Sequence, residues 1–228
     1  VATLVEKPIA ASLEEAERLV DRARGRGVPL MVGHIERFNP AVTALLERAR
    51  RPRFLEIHRL APFVPRSLDV DVILDLMIHD LDLCRVLFGR QKLRWFDASG
   101  TSALSHKIDI ASVRLRFEDG AAANLTASRI SHEKVRRVRV FEPGRYLGCD
   151  TIAGTVSAYE LDDSQGEPKI RSESFEPEPV EPLRAELEAF RDALLRGDQV
   201  PVTGDDGTAA LRLALDIREA IETSESSA

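Results

Sequence analysis

The hydrophobic and polar positions at the start of the chain predict a strand, a helix and a second strand. Residues 2–9 form a short apolar run that is typical of a strand. Ser12 and Glu15 are spaced as a capping box for a helix with an apolar stripe of Ala16, Leu19, Val20 and Ala23. The run "VPLMVGHI" then predicts another strand. Strands joined tightly through a helix pair in parallel, so residues 1–35 are predicted to be the last part of a doubly wound α/β domain.

The next region begins with a helix and continues as a sheet. Asn39 and Pro40 suit the N-cap and first turn of a helix that runs to about Arg50. Apolar and polar residues alternate in "SVRLRF" before the Asp119-Gly120 turn, and strands are also predicted in "VRRVRVF", "GTVSAYEL" and "KIRSESF". Two amphipathic helices close the chain, one with Leu183, Leu187, Phe190 and Leu194, the other with Leu213, Ile217 and Ile221. The predicted fold class is therefore α/β (α+β), with one solvated sheet face.

The apolar helix predicted for residues 71–88 carries an unusual set of polar residues. At about 100° per residue, four polar side chains fall within an arc of roughly 80° and form one stripe: Asp71, Asp75, His79 and Asp82. Asp80 points away from this stripe. Unpaired groups of this kind in a dry core would cost several kcal/mol each, so the stripe is expected to face a cleft, a partner chain or a ligand. An acid one turn before a histidine can bond one imidazole nitrogen and leave the other as a general base.

Two other interpretations of this stripe stay open. The acids and the histidine could be ordinary packed polar residues, with Asp71 and Asp75 favoured by the positive end of the helix dipole. Alternatively, the i, i+4 and i+7 spacing of Asp75, His79 and Asp82 could bring three ligands to one metal ion, although no further His or Cys cluster completes such a shell.

Two further groups of polar residues follow the predicted parallel strands. Glu6, Lys7 and Pro8 lie where the first strand ends, which is where α/β sheets bind ligands. The segment "GHIERFNPA" at residues 33–41 follows the second strand and contains Arg37, which could clamp a carboxylate or phosphate or could pair with Glu36.

Composition and charge restrict the classes of partner. The 228 residues are 43% hydrophobic and 31% charged with a net charge of −6, so neither nucleic acid nor an anionic membrane is an expected partner. The two cysteines form no CxxC pair, and no signal peptide or apolar stretch of about 20 residues is present, so a cytoplasmic location is expected. The sequence also contains no GxSxG, HExxH or Walker motif.

Four segments together resemble the glucose-fructose oxidoreductase / inositol dehydrogenase / MocA (Gfo/Idh/MocA) family: "VEKPIA", "VGHIERFNPAV", "ILDLMIHDLDL" and "VTGDDGTAALRLALDI". The resemblance implies an NAD(P)-binding Rossmann domain followed by a domain with a large, open, mostly antiparallel sheet, through which members associate. It implies NAD or NADP as cofactor and a sugar as substrate. The segments "GHIERFNPA" and "LMIHDLDL" are most similar to the nucleotide-sugar branch, such as UDP-N-acetylglucosamine 3-dehydrogenases. Glycines usual near the catalytic aspartate are replaced here, by Asp69, Val70, Asp71 and Met77, which is expected to reshape the pocket.

The resemblance also implies roles for individual residues. Lys7, Asp75 and His79 match the catalytic set, with His79 as general base, Asp75 orienting its imidazole and Lys7 bonding the reacting oxygen. Glu6 and Pro8, together with Lys7, are expected on the cofactor side. We also expect substrate contacts from Arg37, Asn39 and Asp82.

The division into domains is expected at residue 38. Residues 1–38 would be a remnant of the Rossmann domain, and residues 39–228 the substrate-binding and oligomerisation domain, with the final helices packing back on the remnant. No G-x-G-x-x-G occurs in the sequence, so we expect a fragment of a longer enzyme that by itself binds NAD(H) poorly. The alternatives are a non-catalytic sugar-binding or dimerisation module, and a metal-dependent hydrolase or lyase that uses Asp75, His79 and Asp82.

Overall fold

The computed structural model describes residues 1–65, 69–89, 91–163 and 168–225. Its strands are β1 (Thr3–Glu6), β2 (Leu30–Gly33), β3 (Phe54–Leu60), β4 (Leu93–Thr101), β5 (Ile110–Phe117), β6 (Ala122–Ser128), β7 (Val135–Glu142), β8 (Arg145–Asp150), β9 (Thr155–Asp162) and β10 (Lys169–Phe175). Its α-helices are α1 (Leu13–Gly25), α2 (Pro40–Arg48), α3 (Ile78–Phe88), α4 (Pro182–Arg196) and α5 (Gly204–Glu225). Two short helical segments complete the described elements: a 3₁₀ helix at Ile35–Phe38 and a π-helical turn at Ile73–Met77.

The first unit is the predicted strand, helix and strand. β1 and β2 pair in parallel, with Val5 opposite Val32. The capping box at the start of α1 is complete, because Ser12 accepts from the Glu15 backbone N–H and the Glu15 carboxylate accepts from the Ser12 N–H. The carboxyl ends of β1 and β2 therefore lie side by side, and they lead into Lys7 and His34.

The second unit is built on an eight-stranded sheet. Its strand order is β10-β9-β8-β7-β3-β6-β5-β4, and β3 with β6 is the parallel pair among otherwise antiparallel described strands. This mixed architecture, with its large and mostly antiparallel sheet, confirms the predicted fold class.

The two faces of the large sheet differ in composition. On the inner face, Leu55 and Ile57 of β3 pair with the buried Val140 and Val138 of β7 and form part of the core with α2, α3 and α5. On the outer face Glu56 pairs with Arg139 across the strands, and their side chains form an ion pair at 3.0 Å. The site residues of β3 and β7 must therefore come from inner-face positions.

The continuous α-helix expected over residues 71–88 is wrong in its first part. Asp71 lies before the helix and caps it, because its Oδ1 accepts from the backbone N–H groups of Ile73 and Leu74, both at 2.9 Å. Residues Ile73–Met77 then form a π-helical turn, and regular α-helix begins at Ile78. A π-turn advances each residue by a smaller angle than an α-turn does, so the four polar residues do not form one stripe.

The last two helices behave differently from each other. α5 packs on α1 and β2 as well as on α3 and β4. α4 lies on the 3₁₀ helix with Glu186, Phe190 and Ala193 directed inward, whereas most of its predicted apolar stripe is exposed, at Leu183, Leu187 and Leu194. The predicted apolar stripe of α4 is therefore corrected, because the helix packs through the neighbouring face, which carries Glu186, Phe190 and Ala193. In the part of the chain that the structure describes, no helix combines the length and apolar character that crossing a membrane requires.

Candidate active site

Lys7 lies directly after β1, and its ammonium group is held by the π-helical turn. The Lys7 Nζ donates to the backbone carbonyl of Asp75 and lies 3.4 Å from its Oδ1. Burial lowers the pKa of Lys7, although the Asp75 carboxylate opposes the effect. The lysine therefore releases a proton more readily than a lysine on the surface does.

His79 is the second residue of α3, and it is buried with 8% of its surface exposed. Its Nδ1 has no hydrogen-bond partner among the described residues, so the expected hydrogen bond from the imidazole to the Asp75 carboxylate is not formed. The reason is that the π-turn directs the Asp75 carboxylate to Lys7 instead. Burial, followed by the positive charges of Arg59 and Lys7, lowers the pKa of His79 well below its usual value, so the imidazole is neutral at physiological pH.

Lys7, Asp75 and His79 line one cavity of about 550 Å³, as do the inner-face residues Arg59 and Arg136. A larger cleft of about 720 Å³ lies beside Arg50–Arg53 and Pro143. That cleft is at the opposite end of β3, about 20 Å away at the usual rise per strand residue, and its lining contains no histidine. The cavity with His79 is therefore the candidate active site.

A buried ion cluster forms the floor of this cavity. Arg59 of β3 donates to Asp80 of α3 from Nε at 2.9 Å and from Nη2 at 2.6 Å, and to Glu36 from Nη1 at 2.8 Å. Burial raises the pKa of Asp80 despite Arg59. For Glu36 burial acts in the same direction, but Arg59 and Arg136 together hold its pKa below the usual value. The cluster joins β3, α3 and the 3₁₀ helix, and so fixes the position of His79.

None of the three residues expected to contact substrate lies on this cavity. Arg37 pairs with Asp82 through two hydrogen bonds of 2.6 and 2.5 Å, and not with Glu36, whose partners are Arg59 and Arg136. Asn39 is the N-cap of α2 and accepts from the Ala41 N–H at 3.0 Å. The functional groups of all three are already used in a salt bridge and a helix cap.

The metal alternative does not agree with these positions. Asp75 binds Lys7 and Asp82 binds Arg37, so the two carboxylates do not converge with His79 on one point. Across the described ranges, no group of three or more His, Cys, Asp or Glu side chains is arranged to hold a metal ion.

His34 belongs to the polar group that follows β2, but the sequence reasoning gave it no role, and it lies next to His79. It is 1% exposed, and neither ring nitrogen has a hydrogen-bond partner in the described part of the chain. Its ring packs edge-on against His79 with 6.0 Å between the centroids, and its Nδ1 lies 4.0 Å from Asp82 Oδ2. Burial lowers the pKa of His34 as well. The signal was its place directly after β2, since the carboxyl ends of adjacent parallel strands meet.

The remaining predicted residues of the EKP segment lie beside this pair. The Glu6 side chain covers Gly33, where a Cβ atom would come within 2.9 Å of Glu6 Oε2, and Pro8 follows a cis peptide bond. Residue 33 must therefore be small for β1 and β2 to keep Glu6 in this position.

Comparison with known proteins places the chain among oxidoreductases. The family model "Oxidoreductase family, NAD-binding Rossmann fold" matches residues 1–34, and "GFO/IDH/MocA C-terminal domain" matches residues 42–142. The chain is 40% identical to the UDP-N-acetylglucosamine 3-dehydrogenase of Acidithiobacillus ferrooxidans over 97% of its length and 72% of that protein. The chain belongs to the Gfo/Idh/MocA family. The resemblance inferred from four sequence segments is thereby confirmed, including its nearest branch.

One further relative and one solved structure agree with this assignment. A myo-inositol 2-dehydrogenase of Thermotoga maritima is 28% identical over 97% of the chain and 70% of its own length. The solved structure of the Acidithiobacillus ferrooxidans UDP-N-acetylglucosamine 3-dehydrogenase matches with a TM-score of 0.89 and 39% identity over 98% of the chain and 71% of that structure. Membership of a family of NAD(P)-dependent sugar dehydrogenases is the coarse functional conclusion.

The residues present fit one part of the cofactor that this family uses. His34 and His79 present three buried imidazole nitrogens without partners in the described chain, next to the Lys7 ammonium at the carboxyl ends of β1 and β2. Such orphaned polar atoms suit a polar ring such as nicotinamide with its carboxamide.

Proposed function

We propose that this chain supplies the acid-base residues of a dehydrogenase that oxidises a secondary hydroxyl of a sugar or nucleotide sugar with NAD or NADP. The observation that supports this most is that Lys7, at the carboxyl end of β1, and the neutral, buried His79 of α3 line the same cavity. A neutral imidazole in such a place can accept a proton, and an ammonium beside it can stabilise the oxygen that loses that proton.

In this mechanism His79 takes the hydroxyl proton of the substrate. Lys7 donates a hydrogen bond to the same oxygen and stabilises negative charge on it, while Asp75 holds the Lys7 ammonium in position. NAD(P)⁺, when bound, supplies the acceptor for the hydride that leaves the carbinol carbon. His34 supports the His79 ring edge-on and so restricts its orientation.

The cofactor is proposed to contact the residues at the ends of β1 and β2. Glu6, Lys7 and Pro8 would shape its nicotinamide side, with His34 below them. This assigns residues 1–38 to the cofactor-binding domain and residues 39–228 to the substrate domain, which is also proposed to form a homo-oligomer. The outer face of the sheet is the proposed contact surface, and on β3 and β7 it carries side chains such as Glu56 and Arg139.

Activity of the natural full-length protein tests the proposal. The protein is incubated with NAD⁺ or NADP⁺ and either UDP-N-acetylglucosamine or myo-inositol, and the reduced cofactor is followed by absorbance. We expect reduction with UDP-N-acetylglucosamine, since the relative with that name is the more similar of the two. Binding of these compounds without any reduction would favour the non-catalytic sugar-binding module instead.

A further inference from the structure

Two basic residues, one just before β7 and one near its start, line the cavity and have donors to spare. Lys134 is exposed and makes no ion pair or hydrogen bond with any residue that the structure describes. Arg136 makes one contact, from Nη1 to Glu36 Oε1 at 3.3 Å, and 38% of its side chain is exposed. Arg136 pairs with the inner-face Arg59 across β7 and β3, and Lys134, which lies just before β7, lines the same cavity.

The other described cations of the cavity are engaged by protein groups or, for Lys7, assigned to the reacting end. Arg59 donates four hydrogen bonds to Asp80 and Glu36, and Lys7 is held by Asp75. Arg129 donates to Asp109 at 2.8 Å and to the Val70 carbonyl at 2.6 Å. Glu36, the carboxylate next to Arg136, is bound more closely by Arg59, at 2.8 Å. Among the described residues of the lining, a ligand entering the cavity would therefore meet Lys134 and Arg136 as the available positive charges.

The size of the cavity indicates a ligand larger than one sugar ring. Its volume of about 550 Å³ lies within the range of roughly 300–1,000 Å³ that is usual for sites of drug-sized ligands. Lys134 and Arg136 line this cavity together with Lys7 and His79. Arg136 also contributes to the lowered pKa of His79, so its charge acts on this same site.

We propose that Lys134 and Arg136 form a subsite for a phosphate or diphosphate group attached to the sugar. Arginine and lysine bind phosphate oxygens through charge-assisted hydrogen bonds, and this surplus of positive charge stands in a chain whose net charge is −6. The proposal rests on the proposed function, because it takes Lys7 and His79 as the reacting end. It selects sugar phosphates and nucleotide sugars over neutral sugars such as inositol.

Calorimetry in phosphate-free buffer tests the subsite without any turnover. The probes are uridine diphosphate, inorganic pyrophosphate and N-acetylglucosamine, titrated into the chain and into Lys134→Gln, Arg136→Gln and the control Arg137→Gln. Arg137 is the next residue along β7, but it lies on the outer face and pairs with Asp150 at 3.1 Å. We expect each of the first two changes to weaken both phosphate probes by about tenfold or more, as for a lost hydrogen bond to a charged group. N-acetylglucosamine should bind all variants equally, and the Arg137→Gln variant should bind both phosphate probes as the unchanged chain does.

Different results separate the subsite from the proposed function. Equal weakening by Arg136→Gln and Arg137→Gln, or unchanged binding in both cavity variants, would overturn the subsite. In the full-length enzyme Arg136→Gln should raise KM for the nucleotide sugar and leave KM for NAD(P)⁺ unchanged, and the reverse result would assign these residues to the cofactor. Phosphate binding with the expected variant pattern but no dehydrogenation of any sugar would leave the subsite intact and overturn the proposed function.

Discussion

His79 and Asp80 are consecutive residues on α3, both are buried, and their surroundings are opposite. Asp80 is 0% exposed and receives three hydrogen bonds from Arg59, of 2.9, 3.1 and 2.6 Å. His79 is 8% exposed, and its Nδ1 is unpartnered within the described residues. Asp80 belongs to a closed ion cluster, whereas His79 lines the cavity.

This difference separates a structural polar group from a reactive one. A buried charge is tolerated where a partner of good geometry compensates for its lost hydration, as Arg59 does for Asp80. A buried imidazole without a partner remains available to a ligand, and burial keeps it neutral. Adjacent positions on one helix thus provide the support of the site and its proposed base.

The largest expected effect is on catalysis. His79→Ala in the full-length protein should lower turnover by about 10²- to 10⁴-fold, because a positioned acid-base group is lost, while cofactor binding is kept. Steady-state rates with the best nucleotide sugar measure the effect. His58→Ala is the matched control, since this histidine lies on the outer face of β3 with 42% of its side chain exposed. Equal turnover in the two variants would remove His79 from the mechanism.

The next largest expected effect is the loss of stability when Asp80 is changed. Asp80→Asn should lower the free energy of unfolding by about 3–5 kcal/mol, because it leaves part of the buried Arg59 charge uncompensated. His79→Asn should change stability by less than about 1 kcal/mol, because no hydrogen bond to Nδ1 is lost. Urea denaturation of both variants checks the contrast. A stability loss at residue 79 as large as that at residue 80 would contradict it.

Glu186 of α4 provides a third test of unpartnered buried groups. It is 0% exposed, and burial, with a smaller effect of Glu6, raises its pKa to about 7. The folded state then keeps a proton that the unfolded state loses at lower pH, so stability falls as pH rises from about 4.5 to about 7. Glu186→Gln should therefore stabilise the chain at pH 8 by roughly 1–3 kcal/mol and have little effect at pH 4. The same gain at both pH values would exclude ionisation as its cause.

The smallest effect is the pH dependence that the two imidazoles contribute. The pKa values of His34 and His79 are lowered in the folded state, so the unfolded state binds more protons as pH falls through about 6.5, and stability decreases. The slope contributed by each histidine is at most about 1.4 kcal/mol per pH unit. In a Glu186→Gln background, His34→Asn should flatten this slope, whereas His106→Asn on the surface should not. Denaturation at several pH values between about 5 and 8 provides the measurement.

Local patterns in the sequence predicted much of the fold correctly. The Ser12–Glu15 capping box, the parallel pairing of β1 with β2, the Asn39 cap of α2 and the Asp119-Gly120 hairpin are all present. Each depends on residues that are close in sequence or on one strand-helix-strand unit, so spacing alone specifies it. Helical spacing selected Asp75 and His79, and the strand-end position with the family resemblance selected Lys7; the structure brings all three to one cavity.

The partners of the charged residues were decided by the tertiary structure. Lys7 meets Asp75 across 68 residues, Arg37 meets Asp82 across 45, and Arg59 meets Asp80 across 21. Periodicity along one helix instead suggested that Asp75 would bond His79. It could not show that a π-turn would direct the Asp75 carboxylate to Lys7, which follows β1.

The amino-acid sequence by itself determined the elements, the family and the residues able to do chemistry. Only the packing of β1, β2, β3 and α3 decided which groups are neutralised and which stay available. The physical reason is that propensity and amphipathicity act over one or two helical turns, whereas a charge is matched by whichever opposite charge the folded chain brings within hydrogen-bond distance.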